Sequence, residues 1–372
     1  MIYLDNAATT LYKPHSVRRA CNACLKKFCA NSGRGGHKAA LMASERIYAC
    51  RESLAELFGI SDPARIVFTP NATAALNIAI KGILTPDSHT VITGMEHNSV
   101  VRPVVGSGAY YSVALPDETG LVSAKSIENL ITDNTKLIIA IHASNITGTI
   151  NPIYEIGEVA KKYGIPFLVD AAQSAGVAPI DAERNNISML AFPGHKMLYG
   201  PTGTGGLYIS PGLELKPFIE GGTGSLSESD TQPDFLPDRF ESGTLNTLGI
   251  TGLYEGVKFV LKHTPSALYA HEARLAKMLV SGLSSINGVR IYGNNNRVGV
   301  VGFRLEGKDS VDVANTLDSR FDIACRGGLH CAFLAHKSMG TSEGGLVRMS
   351  VSYFTTENEI DRAVEAVKKI QI

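Results

Sequence analysis

The chain has 372 residues, 44% of them hydrophobic and 19% charged, enough apolar material for a sizeable core and enough length for about two domains. Thirty-five Lys and Arg residues balance 35 Asp and Glu. This excludes the basic excess that nucleic-acid binders use against phosphates, and small-molecule partners are expected instead.

The opening residues, Met1 to Thr10, have neither the basic nor the apolar region of an export signal, and no later stretch approaches ~18 consecutive apolar residues. Neither export nor a membrane association is expected. Six cysteines at irregular spacing suit free thiols in a reducing cytoplasm better than a disulfide framework. Val17, Cys21, Cys24, Leu25 and Phe28 fall on one face of a helix, so Cys21, Cys24 and Cys29 read as packing thiols. No second Cys pair or nearby His completes a tetrahedral set, and no metal site is expected.

From about Pro14 to His263, helical patterns alternate with short apolar runs at Arg65–Thr69, Thr90–Thr93, Lys136–His142 and Pro166–Asp170. That alternation predicts an α/β fold, a mainly parallel sheet with helices on both faces. Such sheets bind ligands beyond the C-terminal ends of their strands, so the polar residues after each run carry the interest.

After the first run, Pro70-Asn71-Ala72-Thr73 opens an alanine-rich helix whose backbone N–H groups and Thr73 hydroxyl suit a phosphate, although a plain helix cap reads the same way. After the second comes Glu96-His97, where an imidazole can stack on a flat ring or simply be a satisfied loop histidine. Phe167-Leu168-Val169 ends in Asp170, and Gly194-His195-Lys196 follows about 26 residues later. A carboxylate at one strand end can hold a protonated pyridine nitrogen, and a lysine at the next can form an imine with an aldehyde cofactor, pyridoxal 5'-phosphate (PLP). Gly200–Gly206 leads into the strand pattern Leu207-Tyr208-Ile209, whereas a dinucleotide-binding turn must open a helix. Gly221–Asp238 reads as a loop.

A helix over Leu248–Lys262 leads to His263-Thr264-Pro265. Beyond it the pattern is helix (Ser266–Ile286), strands (Val289–Tyr292 and Gly299–Leu305), helix, strand and a closing helix over Glu357–Ile370. The division expected is a large unit over 14–263 and a smaller α+β unit formed by 1–13 with 264–372. In the smaller unit, Gly327-Gly328-Leu329-His330-Cys331 places a thiol in a glycine-containing, potentially mobile segment, with Arg326 and His330 as cationic neighbours for a nucleophilic thiolate. Cys325 falls in an apolar pattern and reads as packing.

On these motifs the chain resembles the class V aminotransferase superfamily of fold-type I PLP enzymes, and within it the cysteine desulfurase and selenocysteine lyase branch. The resemblance spans nearly the whole length. It rests on Tyr3-Leu4-Asp5-Asn6-Ala7-Ala8-Thr9-Thr10, Glu96-His97, Ser144-Asn145 with Gly148-Thr149, Asp170-Ala171-Ala172-Gln173, Gly194-His195-Lys196, Arg239-Phe240-Glu241-Ser242-Gly243-Thr244 and Arg326-Gly327-Gly328-Leu329-His330-Cys331.

It implies a PLP-dependent transferase fold of type I, with a mainly parallel seven-stranded sheet in the large domain and a smaller α+β domain. It implies Lys196 as the Schiff-base lysine, Asp170 on the pyridine nitrogen, Gln173 on the ring hydroxyl and His97 on the ring face. Ala72, Thr73 and His195 are implied at the phosphate, with Thr244 reaching it from the other subunit of a homodimer. Asn145 and Arg348 are implied at the substrate carboxylate, His37 and Arg326 near the substrate entrance, and Cys331 as the thiol that takes sulfur from L-cysteine and passes it to an acceptor protein or small thiol. Selenocysteine lyase, cysteine sulfinate desulfination, transamination and a PLP-fold protein without catalysis are the alternatives. One departure stands out: the family often has Ser two residues before the His of Gly-His-Lys, and here that position is Pro193.

Overall fold

A computed structural model describes residues 1–33 and 35–371 of the chain. Arg34, three residues before His37, lies outside the described residues.

In chain order the elements are β1 (Ile2–Tyr3), α1 (His15–Lys27), α2 (Lys38–Phe58), β2 (Ile66–Thr69), α3 (Ala72–Ile83), β3 (His89–Thr93), α4 (Asn98–Gly106), β4 (Tyr110–Ala114), α5 (Ala124–Glu128) and β5 (Thr135–Ile141). They continue as α6 (Ile153–Tyr163), β6 (Phe167–Asp170), β7 (Met189–Pro193), β8 (Gly205–Ile209), α7 (Thr247–His263), α8 (Pro265–Ser284), β9 (Val289–Tyr292) and β10 (Val300–Leu305). The last are α9 (Ser310–Phe321), β11 (Ile323–Ala324), β12 (Arg326–Gly328), α10 (Phe333–Ser338), β13 (Leu346–Ser350) and α11 (Glu357–Gln371).

Seven strands form one sheet in the order β2-β8-β7-β6-β5-β3-β4. All run parallel except β8, which is antiparallel to both of its neighbours. The α/β architecture with a mainly parallel seven-stranded sheet is therefore the one expected. The strands β5, β6 and β7 are buried along nearly their whole length, as apolar runs covered by helices on both faces must be. The sheet's edge strand β4 escaped the sequence reading because Tyr110 and Tyr111 face solvent and break the apolar run.

A second, four-stranded antiparallel sheet has the order β12-β13-β10-β9, and β1 pairs with β11 in parallel. Its core is separate from the two cores flanking the large sheet and includes Leu4, Leu279, Phe303 and Val367.

The glycine run before β8 serves packing. A Cβ on Gly205 would lie 2.8 Å from the Phe192 carbonyl oxygen and 2.9 Å from the Asn71 carbonyl carbon, so only glycine lets β8 pass beneath the turn that opens α3. No helix among the described residues is long and apolar enough to cross a membrane.

Candidate active site

Because β2, β3, β5, β6 and β7 point the same way, the residues that follow them collect at one edge of the sheet. A cavity of about 90 Å³ there is lined by Ala72 and Thr73 after β2, His97 after β3, Asn145 after β5, Asp170 and Gln173 at the end of β6, and His195 and Lys196 after β7. Eight residues singled out from the sequence thus share one cavity.

Asp170 is 1% exposed at the end of a central strand, in register with Ile141 on one side and Ala191 on the other. One of its oxygens accepts from the Ala172 N–H at 2.8 Å. Burial raises its pKa, opposed by that hydrogen bond and by the charge of Lys196. No Lys, Arg or His among the described residues forms an ion pair with Asp170. A carboxylate so placed calls for a cationic N–H from a ligand. Burial pushes the Lys196 ammonium down to about 8, with Asp170 acting in the opposite direction.

His97 caps the N-terminus of α4, and its Nδ1 accepts the Ser99 N–H at 3.0 Å. The ring proton therefore belongs on Nε2. Burial, followed by the charges of Lys196, Arg348, Arg102 and Arg326, lowers its pKa to about 4, so at neutral pH the imidazole is an uncharged donor. At the start of α3, Asn71 caps the Ala74 N–H at 2.9 Å, and no partner among the described residues takes the N–H groups of Ala72 and Thr73. Gln173 donates from Nε2 to the Ala7 carbonyl at 3.0 Å.

The N-terminal segment ties the site together, a role missed in the sequence. Asp5 pairs with Arg348 Nη2 at 2.7 Å, and Arg348 Nη1 donates to the Asn145 carbonyl at 3.1 Å. Ala7 N–H donates to Ser350 Oγ at 2.8 Å, and Thr9 Oγ1 donates to the His195 carbonyl at 3.1 Å. Arg348 on β13 is 2% exposed, and Asn145 Oδ1 beside it is buried without a partner. A guanidinium with this orphaned amide oxygen nearby is suited to an incoming amino acid.

Cys331 is exposed and lines a groove of about 440 Å³ with Asn77, Lys81, Asn98 and Arg102; Thr73, His97 and Ser99 line both this groove and the Lys196 cavity. His330 and Cys331 both have positive φ, at 50° and 54°, in a tight turn between β12 and α10. Two hydrogen bonds from distant segments reach the turn. Asn145 Nδ2 donates to the His330 carbonyl at 2.9 Å, and the Asn98 N–H donates to the Cys331 carbonyl at 2.8 Å. Expected charge on His330 is corrected: burial, then Arg348, drives its pKa far down, so the ring is neutral and donates from Nε2 to the Arg326 carbonyl at 3.2 Å. Arg102 and Lys81 are the cations that line the groove with Cys331, residues not singled out beforehand. Cys325 is largely buried, and burial pushes its thiol up to about 12, which fits packing.

Three other expected residues lie outside the Lys196 cavity. Exposed His37 caps α2, its Nδ1 accepting from the Ala40 N–H at 3.3 Å. Exposed Arg326 sits opposite Arg348 in the strand register. Exposed Thr244 accepts from Asn31 Nδ2 at 3.2 Å on another face. Cys21, Cys24 and Cys29 are free thiols, and no group of three or more possible metal ligands occurs among the described residues.

Residues 2–363 match the aminotransferase class-V family. The chain is similar to a probable cysteine desulfurase of Methanothermobacter thermautotrophicus, 36% identical over 99% of this chain and 94% of that protein. It is similar to a cysteine desulfurase of Escherichia coli, 31% identical over 100% of this chain and 93% of that one. The fold superimposes on the apo structure of a cysteine desulfurase from Thermococcus onnurineus NA1 with a TM-score of 0.91 and 31% identity, covering 99% and 94% of the two chains.

Proposed function

The chain belongs to the aminotransferase class-V family, and from that premise we propose that it is a PLP-dependent cysteine desulfurase, converting L-cysteine to L-alanine with the sulfur transferred to Cys331. The observation that carries the reading is that the Lys196 cavity and the Cys331 groove are neighbours, with Thr73, His97 and Ser99 lining both.

The residues present fit PLP. Asp170 is a buried carboxylate with no ion pair among the described residues, the N–H groups of Ala72 and Thr73 have no partner among them, and Lys196 lines the same cavity. Asp170 would hold the pyridine N–H, Gln173 the ring hydroxyl, His97 the ring face, and Ala72, Thr73 and His195 the phosphate. Thr244, remote from this cavity within one chain, would reach the phosphate of the other subunit in a homodimer. When bound, the cofactor supplies an electron sink next to the substrate α-carbon.

Arg348, braced by Asp5, and Asn145 receive the substrate carboxylate, while Arg326 and His37 lie toward the entrance. Lys196, its ammonium pushed down to about 8, takes up and returns the α-proton as a neutral amine. His97 offers a proton from Nε2. The Cys331 thiolate attacks the substrate sulfur; an S–S bond forms, the substrate's C–S bond breaks, and the carbon fragment takes up a proton to leave as alanine. Cysteine and enzyme thiol thus become alanine and enzyme persulfide, with no external oxidant. A small thiol or acceptor protein then removes the sulfur. Six free cysteines suit work in a reducing cytoplasm.

Purified protein given L-cysteine and a reductant should release alanine and sulfide in equal amounts, with L-selenocysteine as a competing substrate. Cys331→Ser should keep its cofactor and lose sulfide release by orders of magnitude, because an alcohol is a far poorer sulfur nucleophile than a thiolate. Wild-type sulfide release by the serine variant, with no persulfide on the native protein, would refute the reading.

A further inference from the structure

The cavity has a gap in its donor set where Pro193, two residues before His195, contributes neither a hydroxyl nor an N–H. Across the same cavity stands Ser99, the second residue of α4. Its Oγ lies 2.8 Å from Thr73 Oγ1 and 2.9 Å from His97 Nδ1.

These hydroxyls share their protons in one of two ways. Thr73 can donate to Ser99, which then donates to His97, or Ser99 can donate to Thr73. The His97 Nδ1 lone pair is already engaged by the Ser99 N–H at 3.0 Å, which leaves the Ser99 hydroxyl proton free for Thr73 Oγ1. Once Thr73 accepts that proton, its own must point elsewhere, and the cavity beside the unpartnered Ala72 and Thr73 N–H groups is where an anion would draw it.

We propose that Ser99 is a positioning residue for the cofactor phosphate, standing in for the hydroxyl that Pro193 cannot supply by donating to Thr73 and turning the Thr73 hydroxyl toward the phosphate. The same contact links the phosphate end of the site to His97 at its ring end. This rests on the PLP reading above, and the effect belongs to the phosphate alone.

The test titrates the full-length chain, freed of cofactor, with PLP and with pyridoxal, which lacks the phosphate, following the visible absorption of the lysine imine. Ser99→Ala should weaken PLP binding about two- to tenfold, the effect of one ordinary hydrogen bond, and leave pyridoxal binding unchanged. Pro193→Ser in the Ser99→Ala background should recover most of the loss. Equal weakening for both ligands, or none for PLP, would overturn the proposal. Failure of Pro193→Ser to recover PLP binding would overturn the claim that Ser99 replaces that hydroxyl. If the unaltered chain forms no imine with either ligand at Lys196, it is the cofactor reading that fails.

Discussion

Replacing Glu96 by glutamine tests how the site keeps two adjacent carboxyl groups from both ionising. Glu96 is 0% exposed, its Oε1 accepts from Thr93 Oγ1 at 2.5 Å and from the Ile141 N–H at 2.7 Å, and its Oε2 has no partner. Burial, reinforced by Asp170, raises its pKa from an ordinary 4.5 to about 8. In the unfolded chain Glu96 ionises near its ordinary value, whereas in the folded chain it stays protonated until about pH 8. Its contribution to stability is therefore present in full below pH 4.5 and is lost as pH rises through 8. At one pKa unit per ~1.4 kcal/mol, the loss reaches about 3 kcal/mol at pH 7 and under ~1 kcal/mol at pH 5. An unfolding entropy of ~2.1 cal/mol/K per residue makes each kcal/mol worth roughly 1.3 °C in a chain of this length, so the loss at pH 7 is about 4 °C. Glutamine keeps the shape of the protonated acid and cannot ionise. The Glu96→Gln holoenzyme should therefore gain in Tm over wild type by about 3 °C between pH 5 and pH 7, whatever constant offset the amide introduces. A Tm difference that stays flat or shrinks over that range would refute the reasoning.

Two further substitutions probe the cofactor end of the site. Asp170→Asn removes the leading charge that holds the Lys196 ammonium up, so the pH midpoint for PLP rebinding to the cofactor-free chain should move below that of the unaltered chain while turnover collapses; an upward or absent shift, read by stopped-flow absorbance, would contradict the coupling of Asp170 to Lys196. Thr244→Ala should weaken PLP retention by roughly ten- to hundredfold, the worth of a hydrogen bond to a charged group, without altering the mass measured by light scattering; unchanged retention, or full retention by a monomer, would rule out a contribution across subunits.

Much of this site was readable in the chain because a parallel sheet converts sequence position into spatial position. Thr73, His97, Asn145, Asp170 and Lys196 each follow an apolar run, and runs that become parallel strands deliver their trailing residues to one edge. What could not be read depends on contacts between distant segments. Nothing local to Asp5 announces its pairing with Arg348, and nothing local to Thr9 announces its hold on His195. Ser99 looks like any polar residue in the first turn of a helix until α3 and α4 bring it against Thr73. The charge of His330 was misjudged because neighbours in sequence indicate proximity but not burial, and burial decides protonation here. The glycines before Cys331 say nothing of what meets the turn: the carbonyls of His330 and Cys331 accept from Asn145 and Asn98, residues far away in the chain.

The strap formed by the first residues bears on the order in which the protein can be built. Asp5 and Arg348 are 343 positions apart, and the Ala7 N–H finds its acceptor on Ser350. A ribosome adding ~5–20 residues per second leaves the first segment waiting for roughly tens of seconds before its partners emerge. During synthesis the large sheet can pair its strands and Asp170 can take its place, while the Asp5–Arg348 ion pair does not yet exist. The strap closes only when residues 5–7 meet β13, so it is tied late in synthesis, after every strand of the large sheet has emerged. A chain cut short before β13 would keep every strand of its large sheet and leave Asp5 without its arginine partner.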